Sequence, residues 1–116
     1  MKKYRVLFHL DEGAKGRAEV VLNNIENLIA DLGEENVEVE LVSNSEGVTA
    51  FLKTPNLHGA KVERLAAKGV RFAACANSLR QMGLTKDLLL QQVEIVPAGV
   101  GELARKQAEG WAYIRP

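Results

Sequence analysis

Apolar residues along the chain follow two kinds of pattern, and the first of them predicts helices. Between Gly16 and Leu32 they recur every three or four positions with asparagines and acidic residues between them, which is typical of an amphipathic helix. Gly33 marks its end, because glycine commonly follows the last helical residue. Shorter stretches with the same spacing predict further helices over 46–52, 59–68, 77–82 and 100–109, and another turn or two over 85–90.

The second pattern consists of short apolar segments that predict strands. Tyr4–Leu10 is apolar without alternation, which favours a strand covered on both faces, whereas Val37–Val42 alternates strictly before becoming apolar. Further strands are predicted over 70–74, 93–96 and 111–114. Strands that alternate with helices predict a three-layer α/β/α fold around a five-stranded, mostly parallel sheet.

Length, composition and charge narrow the class of protein. The 116 residues fit one domain, 1–116, and 47% hydrophobic with 26% charged residues is ordinary for a globular protein. The 15 basic and 15 acidic residues form no block of one sign, so we expect no nucleic-acid partner. The apolar segment that follows Met1 is too short for a signal peptide or a membrane span, so we expect a cytoplasmic protein without membrane contact.

Polar residues follow the predicted strands where binding sites usually form. The carboxyl ends of parallel strands lie at one edge of a sheet, and helix N-termini point toward the same edge. We therefore expect a common rim at this edge. It is predicted to include His9 after the first strand, Asn44 after the second, Cys75, Asn77 and Ser78 after the third, and Gly99 after the fourth.

Cys75 is the strongest candidate for chemistry on this rim. It is the only cysteine, which excludes an internal disulfide and any CxxC metal site. At the start of a helix, backbone N–H groups and the helix dipole favour the thiolate form. Ser78 follows three residues later and can donate a hydrogen bond to the sulfur, as in the Cys-x-x-Ser arrangement of monothiol redox proteins. The alternative is a small core residue, because free cysteines are among the most buried side chains.

The histidines and the glycine pattern point to no cofactor. His9 at a strand end is more typical of a satisfied hydrogen-bonding group than of a base, and the spacing of His9, His58 and Cys75 does not support a metal site. The segment 99–104 matches the glycine template of dinucleotide sites, but only twelve residues follow it, too few for the rest of such a site. The acidic residues form no convincing catalytic pair. We therefore expect neither metal nor cofactor.

Several segments resemble the DsrE/DsrF-like family, in particular its small single-domain branch. They are Val-Leu-Phe-His-Leu-Asp-Glu, Leu-Asn-Asn-Ile-Glu-Asn-Leu, Ala-Cys-Ala-Asn-Ser-Leu, Pro-Ala-Gly-Val-Gly-Glu-Leu and Gln-x-x-Gly-Trp-Ala-Tyr-Ile-Arg-Pro, and they run nearly end to end. The resemblance implies an α/β/α domain with a five-stranded parallel sheet, assembled into trimers or hexamers. It also implies a sulfur relay, in which one cysteine takes up a sulfane sulfur as a persulfide and passes it to a small carrier protein. That role falls on Cys75, and without a second cysteine the relay must run between molecules.

These observations support three hypotheses. The leading one is a cytoplasmic, oligomeric sulfur-relay protein that uses Cys75 as nucleophile, with the other rim residues forming the pocket. The others are a binding module for a small anionic metabolite or a protein, with an unreactive thiol, and a monothiol redox protein. Exposure of the Cys75 sulfur distinguishes them. At the C-terminus, we expect Trp111, Tyr113 and Ile114 to fill the core of the domain rather than an interface between subunits.

Overall fold

A computed structural model describes residues 2–14 and 16–116 and shows a five-stranded sheet in the order β4-β3-β2-β1-β5. All pairings between its strands are parallel, which confirms the predicted α/β architecture. The strands are β1 Tyr4–Leu10, β2 Val37–Ser43, β3 Arg71–Cys75, β4 Val93–Val96 and β5 Ala112–Ile114. The helices are α1 Arg17–Leu32, α2 Gly59–Ala67, α3 Ala76–Gln81 and α4 Gly99–Ala108, with short 3-10 turns at Glu34–Asn36, Ser45–Phe51 and Lys86–Leu88.

The long helix α1 shows how closely local signals determine the elements. Val21 and Ile25 lie one turn apart on its buried face and are completely covered, as the helical spacing predicts. Gly33 follows the helix with a φ of 96°, in the region that favours glycine, and its N–H donates to the Ile29 carbonyl at 2.9 Å. In the described part of the chain, no helix combines the length and the apolar character needed to cross a membrane.

The strand order gives the two faces of the sheet different covers. The chain proceeds from β1 through β4 in one direction and then returns to place β5 beside β1. With right-handed crossovers, this reversal puts α4 on the face opposite to α1, α2 and α3. The broad face under α1–α3 buries Phe8, Leu41 and Phe72. The narrow face under α4 has a small apolar cluster made of Leu7, Val42, Ala73, Leu103 and Trp111.

The C-terminal strand only partly matches the expectation that its side chains fill the core. Trp111, just before β5, is buried against α4, as expected. Tyr113 and Ile114 are about 40% exposed, so the expectation is wrong for them. The reason is that β5 is a three-residue strand at the edge of the sheet, where β1 is its neighbour on one side only. An edge strand has less to pack against than a central one.

Candidate functional site

Cys75 is the last residue of β3 and the residue that caps α3. Its backbone is extended, with φ −72° and ψ 120°, and the helix starts at the next residue. Its sulfur accepts the backbone N–H of Ser78 at 3.5 Å. Serine, threonine or aspartate normally provides the acceptor at this position, since the first N–H groups of a helix have no partner within it. The thiol therefore occupies the place of an anionic or hydroxyl cap.

Further donors converge on the same sulfur from two helices. The Ser78 hydroxyl accepts the Ser45 N–H at 2.7 Å, which leaves its own hydrogen free to donate to Cys75. The backbone N–H groups of Gly99 and Asn77 also lie near the sulfur and lower its pKa. Burial by itself raises the pKa of the thiol, but these hydrogen bonds outweigh it, so the pKa of Cys75 lies below its usual value. The surroundings thus favour the thiolate.

Gly99, the first residue of α4, belongs to the site because of its size. A Cβ at this position would lie 3.0 Å from the Asn44 Cβ and 3.3 Å from the Cys75 Cβ, closer than ordinary contact. Ala98, which precedes the helix, offers no side-chain cap, so the first N–H of α4 is free to donate to the sulfur. Gly99, which belongs to the segment that matched the dinucleotide template, therefore allows α4 to approach β2 and β3 closely.

His9 and Asn44 lie together beside this junction. His9 Nε2 is 2.9 Å from Asn44 Oδ1, and His9 Nδ1 is 2.6 Å from the Tyr113 hydroxyl oxygen. Because the amide oxygen only accepts, Nε2 donates to it, and in the neutral ring Nδ1 accepts from Tyr113. His9 is thus a satisfied, mostly buried histidine that orients Asn44. Sequence reasoning missed Tyr113, because only the pairing of β5 with β1 brings it next to His9.

The side chains of Asn77 and His58, which the sequence analysis considered as candidates, do not reach the sulfur. The Asn77 side chain is exposed and accepts a hydrogen bond from Arg80, so this residue contributes only its N–H. His58 precedes α2 and lines a groove with Glu19 and Leu57, where burial lowers its pKa. Over residues 2–14 and 16–116, no group of three or more histidine, cysteine, aspartate or glutamate side chains is arranged to hold a metal ion.

The sulfur is covered in this structure. Cys75 is 5% exposed and Ser78 is 8% exposed. The cover consists of the first turn of α4 and the Asn44 side chain, which meet above the end of β3. The site is therefore a closed thiol pocket at the carboxyl edge of a parallel sheet, between the N-termini of α3 and α4.

Fold and site together define an α/β protein with one thiol placed where a central strand meets two helix N-termini. The profile of the DsrE/DsrF-like family matches residues 3–116. The chain belongs to the DsrE/DsrF-like family, which confirms the resemblance of the sequence segments.

Two solved structures are similar to this chain. A protein of unknown function, MTH1491 from Methanobacterium thermoautotrophicum, is 45% identical, with 97% of this chain and 99% of that chain covered and a TM-score of 0.91. The YchN protein from E. coli is 20% identical over 100% of both chains, with a TM-score of 0.79, and shows the same fold. A comparison with curated proteins finds no match.

Proposed function

We propose that this protein is a sulfur-relay protein in which Cys75 carries a persulfide. The Cys75 thiolate attacks the outer sulfur of a donor persulfide, R–S–SH. A new S–S bond forms at Cys75, the donor S–S bond breaks, and R–S⁻ leaves as the thiolate. The transferred sulfur keeps its proton, so the step needs no oxidant or reductant. In the second step an acceptor thiolate attacks the outer sulfur of Cys75–S–SH and releases the Cys75 thiolate.

The observation that carries this proposal is the set of donors around the sulfur. A nucleophilic thiol must be ionised, and thiolates are stabilised at helix N-termini and by hydrogen bonds. Here the Ser78 hydroxyl and the backbone N–H groups of two helices serve that purpose. The same donors stabilise Cys75 as the leaving thiolate in the second step. They support both halves of a relay through one atom.

Access to the sulfur sets a condition on this function. At 5% exposure, Cys75 meets a donor only when its cover moves. Asn44 is restrained by its hydrogen bond with His9. The first turn of α4 packs on the narrow face of the sheet, where the apolar cluster is smaller than the one under α1–α3. We therefore assign the opening movement to α4, and His9 and Asn44 to the fixed wall of the pocket.

We further propose a cytoplasmic homo-oligomer, a trimer or a hexamer, that passes sulfur to a small carrier protein. Exposed apolar side chains support this proposal. Val100 is 65% exposed at the start of α4 beside the pocket, and Tyr113 and Ile114 are exposed on the edge strand β5. Light scattering coupled to size exclusion measures the assembly, and a monomer at micromolar concentration would contradict it.

The test of sulfur transfer is the mass of the intact protein after incubation with a persulfide donor. We expect the addition of one sulfur atom to the wild type and none to Cys75→Ser. Serine is itself a favoured cap, so this variant keeps the start of α3 and makes a matched control. Removal of the added sulfur by a reductant identifies it as a persulfide. Equal addition to both proteins, or none to the wild type, contradicts the proposal.

A second candidate is favoured by the burial of Cys75. In this alternative the family fold serves as an oligomeric binding module for a small anion or a protein, and the thiol only caps α3. It predicts that Cys75 is alkylated slowly at every pH. It also predicts that thermal stabilisation by an anionic metabolite survives Cys75→Ser. Alkylation of the wild type at a rate comparable to that of a free thiol would exclude it.

A further inference from the structure

Glu40 lies in the middle of β2, on the narrow face of the sheet, and is completely buried. Neither of its carboxylate oxygens has a hydrogen-bond partner among the described residues. The nearest cation is the Lys106 ammonium of α4, at 3.8 Å from Oε1. Burying an ionised carboxylate without hydrogen-bond donors is costly, and an ammonium 3.8 Å away does not replace the lost water. The ionised form of Glu40 is therefore poorly accommodated.

Glu102 faces Glu40 from α4. It is 6% exposed, and its Oε1 accepts a hydrogen bond from Arg105 at 3.0 Å. The other charged groups around Glu40 are Lys106 on α4 and Arg71 on β3. On β1 the neighbour in register is the apolar Leu7, and Arg5 and His9 are the next titratable groups on either side of it along that face. The carboxyl pair, Glu40 and Glu102, thus joins the central strand β2 to the helix that covers Cys75.

A single proton removes the repulsion between the carboxylates of Glu40 and Glu102. Protonated Glu40 becomes a donor, and ionised Glu102 is the acceptor within reach. Burial, followed by the hydrogen bond and charge of Glu102, raises the pKa of Glu40 from an ordinary value of 4.5 to about 8, against the opposing charges of Arg71 and Lys106. The same hydrogen bond is the main cause that lowers the pKa of Glu102.

We propose that Glu40 and Glu102 are positioning residues that share one proton and thereby hold α4 closed over Cys75. Glu102 lies three residues after Gly99, within the first turn of the helix whose N–H donates to the sulfur. When α4 lifts, Glu40 meets water and releases the proton. Loss of the shared proton therefore favours the open pocket. This regulation rests on the proposed function for its purpose, but the closure itself is a property of the thiol pocket alone.

The sign of the pH dependence follows from the two states. The closed state holds the proton up to a pH of about 8, whereas the open state loses it above an ordinary value of about 4.5. Between these limits each opening releases a proton, so the open fraction rises about tenfold per pH unit. Above the upper limit the closed state has lost its proton as well, and the dependence levels off.

The test measures the alkylation rate of Cys75 by iodoacetamide from pH 5.5 to 9.5, divided by the thiolate fraction from absorbance near 240 nm. For the wild type we expect the rate per thiolate to rise about tenfold between pH 6 and pH 7 and to level off above pH 8. Glu40→Gln keeps a donor toward Glu102 at every pH, so its profile should be flat. Glu38→Gln, on the same face of β2 but partly exposed, is the matched control and should keep the wild-type profile.

A titration of the glutamate side-chain carbons by NMR tests the same proposal without alkylation, and Glu40→Gln assigns the signal. One carboxyl should titrate near the upper limit, and its signal should be absent from Glu40→Gln. A midpoint for Glu40 near its ordinary value, or identical profiles for the wild type and Glu40→Gln, would overturn the proposal. Neither measurement involves a sulfur donor. A failed sulfur transfer with a pH-dependent opening therefore contradicts the proposed function alone, and the reverse result contradicts this inference alone.

Discussion

The two faces of the sheet are built on different principles. The broad face, under α1–α3, buries aliphatic and aromatic side chains such as Phe8, Phe51 and Phe72. The narrow face, under α4 alone, has a few apolar contacts and the buried polar groups His9, Glu40 and Glu102. Cys75 lies at the end of the narrow face. The broad face supplies stability, and the narrow face tolerates groups that chemistry needs.

The contrast between the two faces indicates which helix can move. Elements with few buried apolar contacts open most readily, and ligand-covering segments are drawn from them. α4 has one fully apolar contact residue of its own, Leu103, besides the Lys106 ammonium, which lies 4.8 Å from the centroid of the Trp111 ring. A helix attached in this way can uncover the thiol without unfolding the core beneath the other face.

The largest expected effect is on the free energy of unfolding, which should fall more for a substitution on the broad face than for one on the narrow face. Phe72→Ala on the broad face removes a completely buried ring that meets Phe51 edge to face at 5.7 Å between centroids. We expect it to lower the free energy of unfolding by about 3–5 kcal/mol. Leu103→Ala on the narrow face should cost about 2 kcal/mol, because this residue has fewer apolar neighbours. Urea unfolding measures both.

The proposed difference between the two faces is contradicted if Leu103→Ala lowers the free energy of unfolding as much as Phe72→Ala does. In that case α4 is as firmly attached as the helices on the broad face, and it is not the mobile cover of the pocket. Alkylation of Cys75 in Leu103→Ala gives a second readout, since weaker attachment should speed it. An unchanged rate would place the opening movement elsewhere.

A smaller effect is expected where α4 meets the site. Gly99→Ala introduces a Cβ at 3.0 Å from the Asn44 Cβ and 3.3 Å from the Cys75 Cβ, so α4 and β3 must separate by a few tenths of an ångström unless Asn44 gives way. We expect a loss of about 1–3 kcal/mol and a higher thiol pKa, because the Gly99 N–H moves off the sulfur. Gly101→Ala is the matched control, since its Cβ meets nothing closer than 3.7 Å. Equal effects of the two changes on the thiol titration would contradict the assigned role of Gly99.

The smallest expected effect concerns one hydrogen bond. Ser78→Ala removes the hydroxyl that donates to the sulfur and accepts from the Ser45 N–H. We expect the pKa of Cys75 to rise, and stability to fall by about 1 kcal/mol. Asn77→Ala is the control, because this exposed side chain contacts Arg80 rather than the sulfur. Titration of the thiolate absorbance should show a shift for the first variant and none for the second.

Much of the fold follows from local signals. The spacing of apolar residues predicted all five strands and four helices, with ends within a residue or so of those observed. The location of Cys75 also followed, because the change from an apolar run to a helical pattern marks the junction of β3 and α3. Such features depend on residues within a few positions of one another along the chain, so they can be predicted from the sequence.

The contents of the site were harder to predict because they depend on strand order. The alternation over Val37–Val42 marks Glu40 as a polar position, yet α4 crosses above it and buries it completely. Tyr113 joins His9 only because β5 returns to β1. In α4 the acidic Glu102 is the buried residue beside Leu103, whereas the apolar Ala104 is exposed. Each of these outcomes is set by contacts between distant segments.

The amino-acid sequence is sufficient to identify an α/β protein that resembles the DsrE/DsrF-like family and has one thiol at a strand-to-helix junction. Hydrophobic periodicity and turn residues act over short distances, so they specify elements and the position of Cys75 among them. Three features required the folded structure: the cover over the sulfur, the meeting of two helix N-termini beside it, and the carboxyl pair beneath the covering helix. Burial and charge pairing are properties of packed surfaces, and these surfaces form only once β5 and α4 return across the sheet.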